Sequence, residues 1–474
     1  MTEYRFASFN ELQKKSKLVV PKQNKNRELA TENTPPHPVR FMQAVSFWLK
    51  LGLISFGGPA GQIAIMHEEL VVRRRWISEK RFLHALNYCM VLPGPEAQQL
   101  ATYMGWLMHK TLGGMVAGVL FVFPSLFILV ALSWVYIAFG EVPVVAGVFY
   151  GIKPAVVAIV LQAAYRMGSR TLKNNTLWMI AAASFLAIFA LNLPFPVIVL
   201  VAATVGYLGS RFAPAAFKMT GGHGSTDKSF GFALIDDETP RPEHAVFKWR
   251  RLVQVAFVGA ALWAVPMGLL VMNFGWDHTL TQMGWFFTKA ALLTFGGAYA
   301  VLPYVYQGAV DQFAWVTAQQ MMDGLALGET TPGPLIMVVA FVAFVGGYVN
   351  AVFGPDSLFL AGAVAATLVT WFTFLPSFIF IFAGGPMIES THHDIKITAP
   401  LTAITAAVVG VILNLALFFG YHVLWPVGFS GDFDWVGAAL ALAAAVALFK
   451  YKSNVIHVIV VSGLCGIAIR WLVA

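Results

Sequence analysis

Ser55-Phe56-Gly57-Gly58 recurs in this chain as Thr294-Phe295-Gly296-Gly297, and 294 minus 55 gives an offset of 239 residues. Pro93-Gly94-Pro95 recurs as Pro332-Gly333-Pro334 at the same offset. Two motifs that keep one spacing without a gap are typical of an internal duplication. The sequence therefore predicts two homologous halves in tandem, each with a Gly-Gly motif followed by a Pro-Gly-Pro motif.

Further matches extend the duplication in both directions. Lys50 matches Lys289 at the same offset. Later in the chain Pro124-Ser125 matches Pro376-Ser377, and 376 minus 124 gives an offset of 252 residues. The two offsets differ by 252 minus 239, or 13 residues, so the second half carries an insertion, which we predict in the Gly347–Ser357 turn.

The composition predicts that the chain lies in a bilayer. Of its 474 residues 58% are hydrophobic and 11% are charged, and the mean hydropathy is +0.70. A water-soluble globule of this size needs more charge to cover its surface. Crossing a bilayer takes roughly 20 apolar residues. Apolar stretches that approach or reach this length lie at 114–139, 143–165, 175–192, 195–212, 252–274, 358–384, 400–420, 435–449 and 454–472.

Two other apolar segments, 42–66 and 82–109, contain helix breakers. Gly57-Gly58-Pro59 interrupts the first and Pro93-Gly94-Pro95 interrupts the second. Proline removes a backbone donor and clashes with the preceding turn, while glycine costs about 1 kcal/mol inside a helix. We predict that each segment is a pair of half-helices that meet near the middle of the membrane. Two complete crossings are the alternative left open here.

The number of crossings between the halves predicts their relative orientation. One apolar segment, 252–274, precedes the second copy and has no counterpart before the first. An odd number of crossings between similar units places them upside down relative to each other. The predicted fold class is therefore an all-α membrane protein, an inverted tandem repeat of two homologous helical halves with broken, re-entrant helices.

The charges of equivalent turns support this inversion. Arg166, Arg170 and Lys173 follow the fourth segment of the first half, whereas Asp432 and Asp434 occupy the equivalent turn of the second half. Positive residues favour the cytoplasmic side of a membrane. We therefore expect the first turn and the N-terminus inside, and the second turn and the C-terminus outside.

Composition shifts along the chain define the predicted domains. The first residues are rich in charge and lack an apolar core, and the stretch between the halves is polar without apolar periodicity. The domains are a disordered cytoplasmic tail at 1–40, a first membrane domain at 41–212, a cytoplasmic linker at 213–250, an extra transmembrane helix at 251–279 and a second membrane domain at 280–474.

Several function classes are disfavoured by what the sequence contains. The formal charge of +8 is scattered over segment ends and forms no basic stripe, so nucleic-acid binding is not expected. The two cysteines, Cys89 and Cys465, form no C-x-x-C motif or Cys/His cluster. Phosphate-binding loops, H-E-x-x-H and G-x-S-x-G are missing too. We expect no catalytic residue, no metal and no cofactor.

The helix breakers point to an anion site. Irregular backbone at membrane depth must be buried in protein or line a wet cavity, and half-helix N-termini offer N–H groups and partial positive charge to anions. Lysines in apolar segments and polar side chains beside the breakers would add to such a site. The predicted substrate-binding residues are Lys50, Ser55, Gly57, Gly58, Gly94, Glu96, Gln98, Lys153, Lys289, Thr294, Gly296, Gly297, Thr331 and Gly333.

Two alternatives to this site stay open. The glycines and prolines can serve only close helix packing and kinks, as small residues do in membranes. Lys50 and Lys289 can lie near helix ends and extend their ammonium groups to the membrane surface. Glu96 lies beside a Pro-Gly-Pro motif but has no acidic counterpart, since 96 plus 239 is Leu335.

Four motifs carry a resemblance to a known family: Phe56-Gly57-Gly58-Pro59, Arg74-Arg75-Trp76, Leu92-Pro93-Gly94-Pro95-Glu96-Ala97 and Gly151-Ile152-Lys153-Pro154-Ala155. Together they resemble the long-chain, two-domain bacterial members of the chromate ion transporter family, over roughly 42–212 and 280–472. The second half departs from the pattern, because Gly-Gly-Pro-Ala becomes Gly296-Gly297-Ala298-Tyr299 and the Lys153-Pro154 pair has no counterpart.

The resemblance implies a multi-pass protein of the bacterial inner membrane that exports chromate, driven by an ion gradient, with sulfate as a structural analogue. The expected partners are chromate or sulfate, a coupling ion for which the proton is a candidate, and the lipid bilayer; a homodimer is left open. A passive anion channel and a sulfate-type oxyanion uptake transporter are the alternative functions.

Overall fold

The computed structural model describes residues 36–56, 58–212, 214–217, 232–237, 239–240, 242–390 and 398–473. Over these ranges the chain is helical and contains no β-strand. The α-helices of the first half are α1 (Phe41–Ile54), α2 (Gly58–His67), α3 (Glu79–Val91), α4 (Glu96–Phe139), α5 (Pro143–Thr171), α6 (Asn175–Phe189) and α7 (Phe195–Phe212). The rest are α8 (Trp249–Phe274), α9 (Thr279–Leu293), α10 (Ala298–Tyr306), α11 (Ala318–Thr330), α12 (Val338–Val349), α13 (Leu358–Ser390), α14 (Thr398–Leu424), α15 (Trp435–Phe449) and α16 (Val455–Val473).

The helices have the lengths and composition of a multi-pass membrane protein. Among the described residues, 7 helical segments are long and apolar enough to cross a bilayer: they correspond to α4, α5, α7, α8, α13, α14 and α16. The predicted stretches 175–192 and 435–449 form the shorter helices α6 and α15. The prediction of an all-α membrane protein is confirmed.

The predicted helix breaks are present in both halves. Helix α1 ends at Ile54 and α2 begins at Gly58, while α3 ends at Val91 and α4 begins at Glu96. The second half has the same breaks between α9 and α10 and after α11. Even the π-helical segment Glu68–Arg73 that follows α2 recurs, after α10, 239 residues later (307 minus 68). The depth of these breaks in the membrane stays a prediction.

The second half carries its extra residues where the sequence predicts them. Helix α4 deviates from helical backbone only at His109 and Lys110, so its first part runs almost directly into its second. The second half instead has a 3₁₀ turn at Leu335–Met337 followed by α12, which ends at Val349. Helix α13 begins only at Leu358, so most of the insertion lies in the turn between them.

Equivalent helices of the two halves run antiparallel where they touch. Helices α5 and α14 occupy equivalent places in the repeat, and Gly168 lies against Val409 while Gly420 lies against Val157. As the residue number rises in one helix it falls in the other. Helices α4 and α13 behave alike, because Gly114 lies against Phe382 and the Trp134 ring lies 6.0 Å from that of Phe359.

The halves are interlocked as well as adjacent. Helices α6 and α7 of the first half pack mainly against α14 of the second half, and α15 and α16 pack mainly against α5 of the first. Small residues allow the closest of these contacts, since a Cβ on Gly151 would overlap the backbone of α16. Neither half therefore has a complete core of its own.

Part of the linker binds one end of the helix bundle. The Ser78 amide donates to the Ile235 carbonyl at 3.1 Å, and the Arg81 guanidinium donates to the Thr239 carbonyl at 2.9 Å. His244 bonds the Trp106 carbonyl at 2.9 Å, and burial lowers the pKa of His244 below its ordinary value. This end, which we call the linker face, therefore also carries the turn between the two parts of α4.

Candidate functional site

The broken helices of one half are hydrogen-bonded to those of the other. The Gly94 amide donates to the Thr294 carbonyl at 2.7 Å. This contact, which we call the first junction, brings the Pro-Gly-Pro turn of the first half to the Gly-Gly motif of the second. Helices α4 and α10 both begin within a few residues of it. Two helix N-termini from opposite halves are therefore close together here.

The repeat produces the same contact with the halves exchanged. The Gly333 amide donates to the Ser55 carbonyl at 2.8 Å, and we call this the second junction. Gln62 of α2 reinforces it, because its side-chain amide donates to the Gly333 carbonyl at 2.5 Å and to the Ser55 carbonyl at 3.3 Å. Each junction is thus built from both halves.

The central glycine of each turn has no room for a side chain. Gly94 has a φ of +127°, and a Cβ on it would lie 2.5 Å from the Ser377 hydroxyl and 2.6 Å from the Gln99 amide nitrogen. Gly333 has a φ of +110°, and its Cβ would lie 2.8 Å from that of Ser125. Ser125 and Ser377 are repeat equivalents, so each turn packs on the serine of the opposite half.

Buried polar atoms without partners surround both junctions. The hydroxyls of Ser55 and Ser125 have no hydrogen-bond partner, and neither have the side-chain carbonyl oxygens of Gln62, Gln98 and Gln99. All five side chains are at most 1% exposed. An unsatisfied buried polar group costs about 1–3 kcal/mol, so such a concentration is typical of a site that binds a polar ligand or water.

The amide N–H groups of Gly94 and Gly333 are engaged within the protein. Both donate to carbonyls of the opposite half, and contact of either glycine with a substrate stays a prediction. The donors left for an anion at these turns are those of the following first helical turn, which lack intrahelical acceptors. Gly57 lies outside the described residues, whereas Gly58 begins α2.

The remaining predicted residues near the breaks have local partners. Thr294 donates to the Ala290 carbonyl at 2.7 Å, and Thr331 donates to the Gly328 carbonyl at 3.1 Å. Gln98 donates to the Thr102 hydroxyl at 3.0 Å. Gly296 and Gly297 both have positive φ, and Gly297 precedes the first residue of α10. These residues shape the junctions, and their contact with a substrate stays a prediction.

The lysines shared by the two halves lie differently. Lys50 is exposed on α1, while Lys289 is half-buried with its ammonium 5.7 Å from the centre of the Trp285 ring. Exposure of Lys50 supports the alternative in which its side chain extends along the protein to the membrane surface.

We therefore expect Lys50→Met to leave the KM for substrate within about twofold of wild type. The structural reason is that an exposed Lys50 adds no charge to the buried junctions. Transport into vesicles at varied substrate concentration measures it, with Lys153→Met as the comparison in a partly buried position. A tenfold rise of KM in Lys50→Met would return this residue to the substrate site.

Lys153 has a partner that the sequence does not reveal. Its ammonium lies 3.5 Å from a carboxylate oxygen of Asp323 on α11, and the same oxygen accepts a hydrogen bond of 2.9 Å from Tyr136. Asp323 is 2% exposed. Lys153 is therefore not the uncompensated cation that its apolar surroundings predict. The sequence does show Asp323 as an acid within the 13 residues of α11. This signal could have identified Asp323 as a candidate functional residue, because buried charges in membranes are functional more often than not.

The last turns of α5 bring two arginines towards the first junction. Arg166 and Arg170 are exposed, and the side chain of Met167 between them lies against Gly296. The charge of Arg170 acts on Glu96 at the start of α4. This end of α5 thus forms a basic rim beside two helix N-termini.

The second half places an acid and a phenol beside the same rim. Tyr299, at the start of α10, donates a hydrogen bond to Glu329, and the charge of Arg166 acts on both. Tyr299 occupies the last position of the altered Gly-Gly-Pro-Ala pattern, where the first half has Ala60. The departure from the repeat therefore coincides with a hydrogen bond to Glu329 that the equivalent residue of the first half, Ala60, cannot make because it has no hydroxyl.

The described residues contain no group of three or more His, Cys, Asp or Glu side chains that could hold a metal ion. The described polar groups at the junctions are hydroxyls, amides and backbone carbonyls. These groups can hydrogen-bond a polar ligand.

Comparison with known proteins identifies the family. The family described as Chromate transporter matches the chain twice, at residues 42–207 and 281–467. A chromate transport protein of Pseudomonas aeruginosa is 32% identical over 466 residues, or 95% of this chain and 96% of that protein. A chromate transport protein of Cupriavidus metallidurans is 28% identical, over 89% of this chain and 91% of that protein. No solved structure gives a significant match. With both halves matched and relatives aligned over nearly their whole length, the chain belongs to the chromate transporter family.

Proposed function

We propose that this chain is a secondary active transporter that exports chromate, and accepts sulfate as an analogue, across a bacterial inner membrane. The observation that carries the proposal is the pair of reciprocal junctions, in which each half completes the broken helices of the other. A substrate held at such a place contacts both halves, so movement of one half against the other can change the side to which it is exposed.

The substrate site lies at the junctions. Chromate and sulfate are tetrahedral dianions that accept hydrogen bonds in several directions. Helix N-termini supply backbone donors and partial positive charge, and the buried hydroxyls of Ser55 and Ser125 supply side-chain donors. Charge-assisted hydrogen bonds of this kind contribute roughly 1.5–3 kcal/mol each. A few such bonds suffice for specific binding.

The basic rim at the end of α5 is the cytoplasmic entrance for the anion. Arg166 and Arg170 are exposed there and stand beside the first junction. A carboxylate would repel a dianion, so we place Glu96 outside the direct contacts of the substrate. Clusters of one charge at the mouth of a site raise the local concentration of the opposite ion.

The membrane potential supports export as the direction. Moving one elementary charge across 100 mV is worth about 2.3 kcal/mol, so a dianion that leaves a negative cytoplasm gains about 5 kcal/mol. Uptake would have to supply this energy from at least two co-transported cations. Export therefore needs less coupling than uptake.

The inverted arrangement of the halves is part of the proposal. Its support is the antiparallel packing of α5 with α14 and of α4 with α13, which relates equivalent helices by an axis in the membrane plane. The opposite charges of the equivalent turns at Arg170 and Asp432 agree with it.

Single-cysteine labelling tests the inversion. Cysteines at Arg170 and Lys450 are expected to react with a membrane-impermeant maleimide only from the cytoplasmic side, and one at Asp432 only from the outside, because equivalent turns face opposite sides. The background is the chain with Cys89 and Cys465 replaced by serine. Labelling of positions 170 and 432 from the same side would contradict the inverted repeat.

Transport itself is tested with purified protein in vesicles loaded with radioactive chromate. We expect efflux that saturates with chromate concentration and is inhibited by sulfate, with a variant lacking both arginines at the rim as a comparison. Efflux that rises linearly to high concentration, without saturation, would identify a passive channel instead.

A further inference from the structure

We propose that Asp323 is the proton-binding site of the transport cycle, and that its carboxylate forms an ion pair with Lys153 when the proton is absent. This inference rests on the proposed transport function and adds the coupling ion and the residue that carries it. Three observations support it: the burial of Asp323, its unpartnered carboxylate oxygen, and the position of the Lys153–Asp323 pair between the two halves.

Asp323 is buried, and its hydrogen bonding is incomplete. One carboxylate oxygen of Asp323 lies 3.5 Å from the Lys153 ammonium and accepts a hydrogen bond of 2.9 Å from the Tyr136 hydroxyl. The other oxygen is buried and has no hydrogen-bond partner. A carboxylate with one free oxygen in a dry interior is costly unless it is paired with a cation or takes up a proton.

The electrostatic surroundings of Asp323 are simple. Helix α11 packs against α4, α5, α12, α14 and α16. Among the described residues of these helices, Lys153 of α5 and Tyr136 of α4 are the charged or titratable groups that act on Asp323. Uptake of one proton converts the carboxylate to a carboxylic acid and leaves Lys153 as an ammonium. The net charge of the pair rises from zero to +1, and the ionic attraction between α5 and α11 is lost.

This attraction joins the two halves. Lys153 belongs to the first half and Asp323 to the second, on the helix that leads directly into the second Pro-Gly-Pro turn. Helix α5 also carries Arg166, 13 residues after Lys153 (166 minus 153), which is about 20 Å along a helix. One continuous helix thus connects the proton site to the rim of the substrate site.

The position of the pair suits uptake of protons from the outside. Lys153 lies ten residues (153 minus 143) into α5, so it is about 15 Å from the end of this helix that is opposite to the basic rim. The inner-membrane proton gradient is directed inward. A proton bound from outside and released inside therefore moves opposite to exported chromate.

The test uses vesicles that contain the purified full chain, radioactive chromate and a pH-sensitive dye. In wild type we expect chromate efflux to be accompanied by acidification of the vesicle interior. In Asp323→Asn we expect this proton movement to fall at least tenfold, while exchange of chromate for chromate across the membrane stays within about threefold of wild type.

Glu389→Gln is the matched control. Glu389 is also a buried acid with a tyrosine and a cation as partners, because Tyr103 donates to it at 2.6 Å and Arg81 lies 3.9 Å away. Arginine stays protonated, and both oxygens of Glu389 have neighbours. We expect proton movement in this variant to stay within about twofold of wild type. If Asp323→Asn is poorly folded, Asp323→Asn with Lys153→Gln removes the unpaired buried cation and should restore folding.

Three outcomes would overturn the inference. These are proton movement in Asp323→Asn equal to wild type, loss of exchange in folded Asp323→Asn, and equal loss of proton movement in Glu389→Gln. Efflux in wild type that follows a sodium gradient and moves no protons would overturn it as well. Absence of any chromate efflux in wild type would instead contradict the proposed function, so the two failures are distinguishable.

Discussion

Gly94→Ala is expected to reduce the amount of folded, transporting protein at least tenfold. Its Cβ would lie 2.5 Å from the Ser377 hydroxyl and 2.6 Å from the Gln99 amide, and a φ of +127° is strained for any residue with a Cβ. Relief of the overlap would require the Ser377 and Gln99 side chains to move, which would disturb the hydrogen bond from Gln99 to the Pro93 carbonyl. The strain in φ would remain.

The control is Gly354→Ala, at a glycine with a φ of +88° and nothing within 4 Å of the added Cβ. This change carries only the backbone cost, about 1–2 kcal/mol. Detergent gel filtration measures folded protein, and vesicle efflux measures activity. If the two variants behave alike, the need for glycine at position 94 does not come from contacts at the first junction.

Arg166→Ala combined with Arg170→Ala is expected to raise the KM for chromate about tenfold with little change in kcat. Both side chains are exposed, so their loss should not damage the helix bundle. Their role in the proposal is to concentrate the dianion at the entrance. Added salt should therefore slow wild-type transport at low chromate concentration and affect the variant less.

Arg211→Ala provides the comparison for this pair. Arg211 is an exposed arginine in the last turn of α7 that contacts Tyr207. We expect its KM and its salt dependence to match wild type. If all arginine variants change KM alike, the rim has no special relation to the first junction.

Much of the fold was predictable because it depends on local chemistry and on repetition. Proline lacks a backbone donor and glycine disfavours helix, so the breaks before Gly58 and Glu96 follow from residue type. The repeat offset placed the same breaks in the second half and the insertion before Leu358. Helix lengths follow from the apolar runs, because the length of a spanning segment is set by the thickness of the hydrocarbon core.

The pairing between halves was not predictable from one sequence. Gly94 bonds Thr294 and not a residue of its own half, and no local pattern specifies a partner so far away along the chain. The fate of Lys153 is similar, because its apolar neighbours predict an isolated cation while Asp323 arrives from the other half. The exposure of Lys50 was not predictable for another reason, since repeat symmetry says nothing about which face of a helix is exposed.

Equilibrium binding of radioactive chromate to the purified protein tests most directly whether the junctions hold an oxyanion. We expect saturable binding that sulfate displaces and chloride does not. In a variant with both Ser55→Ala and Ser125→Ala, affinity should fall about tenfold or more, because a buried anion loses the two unpartnered hydroxyl donors. The absence of saturable binding by folded wild-type protein, or an unchanged affinity in the double variant, would contradict an oxyanion site at the junctions.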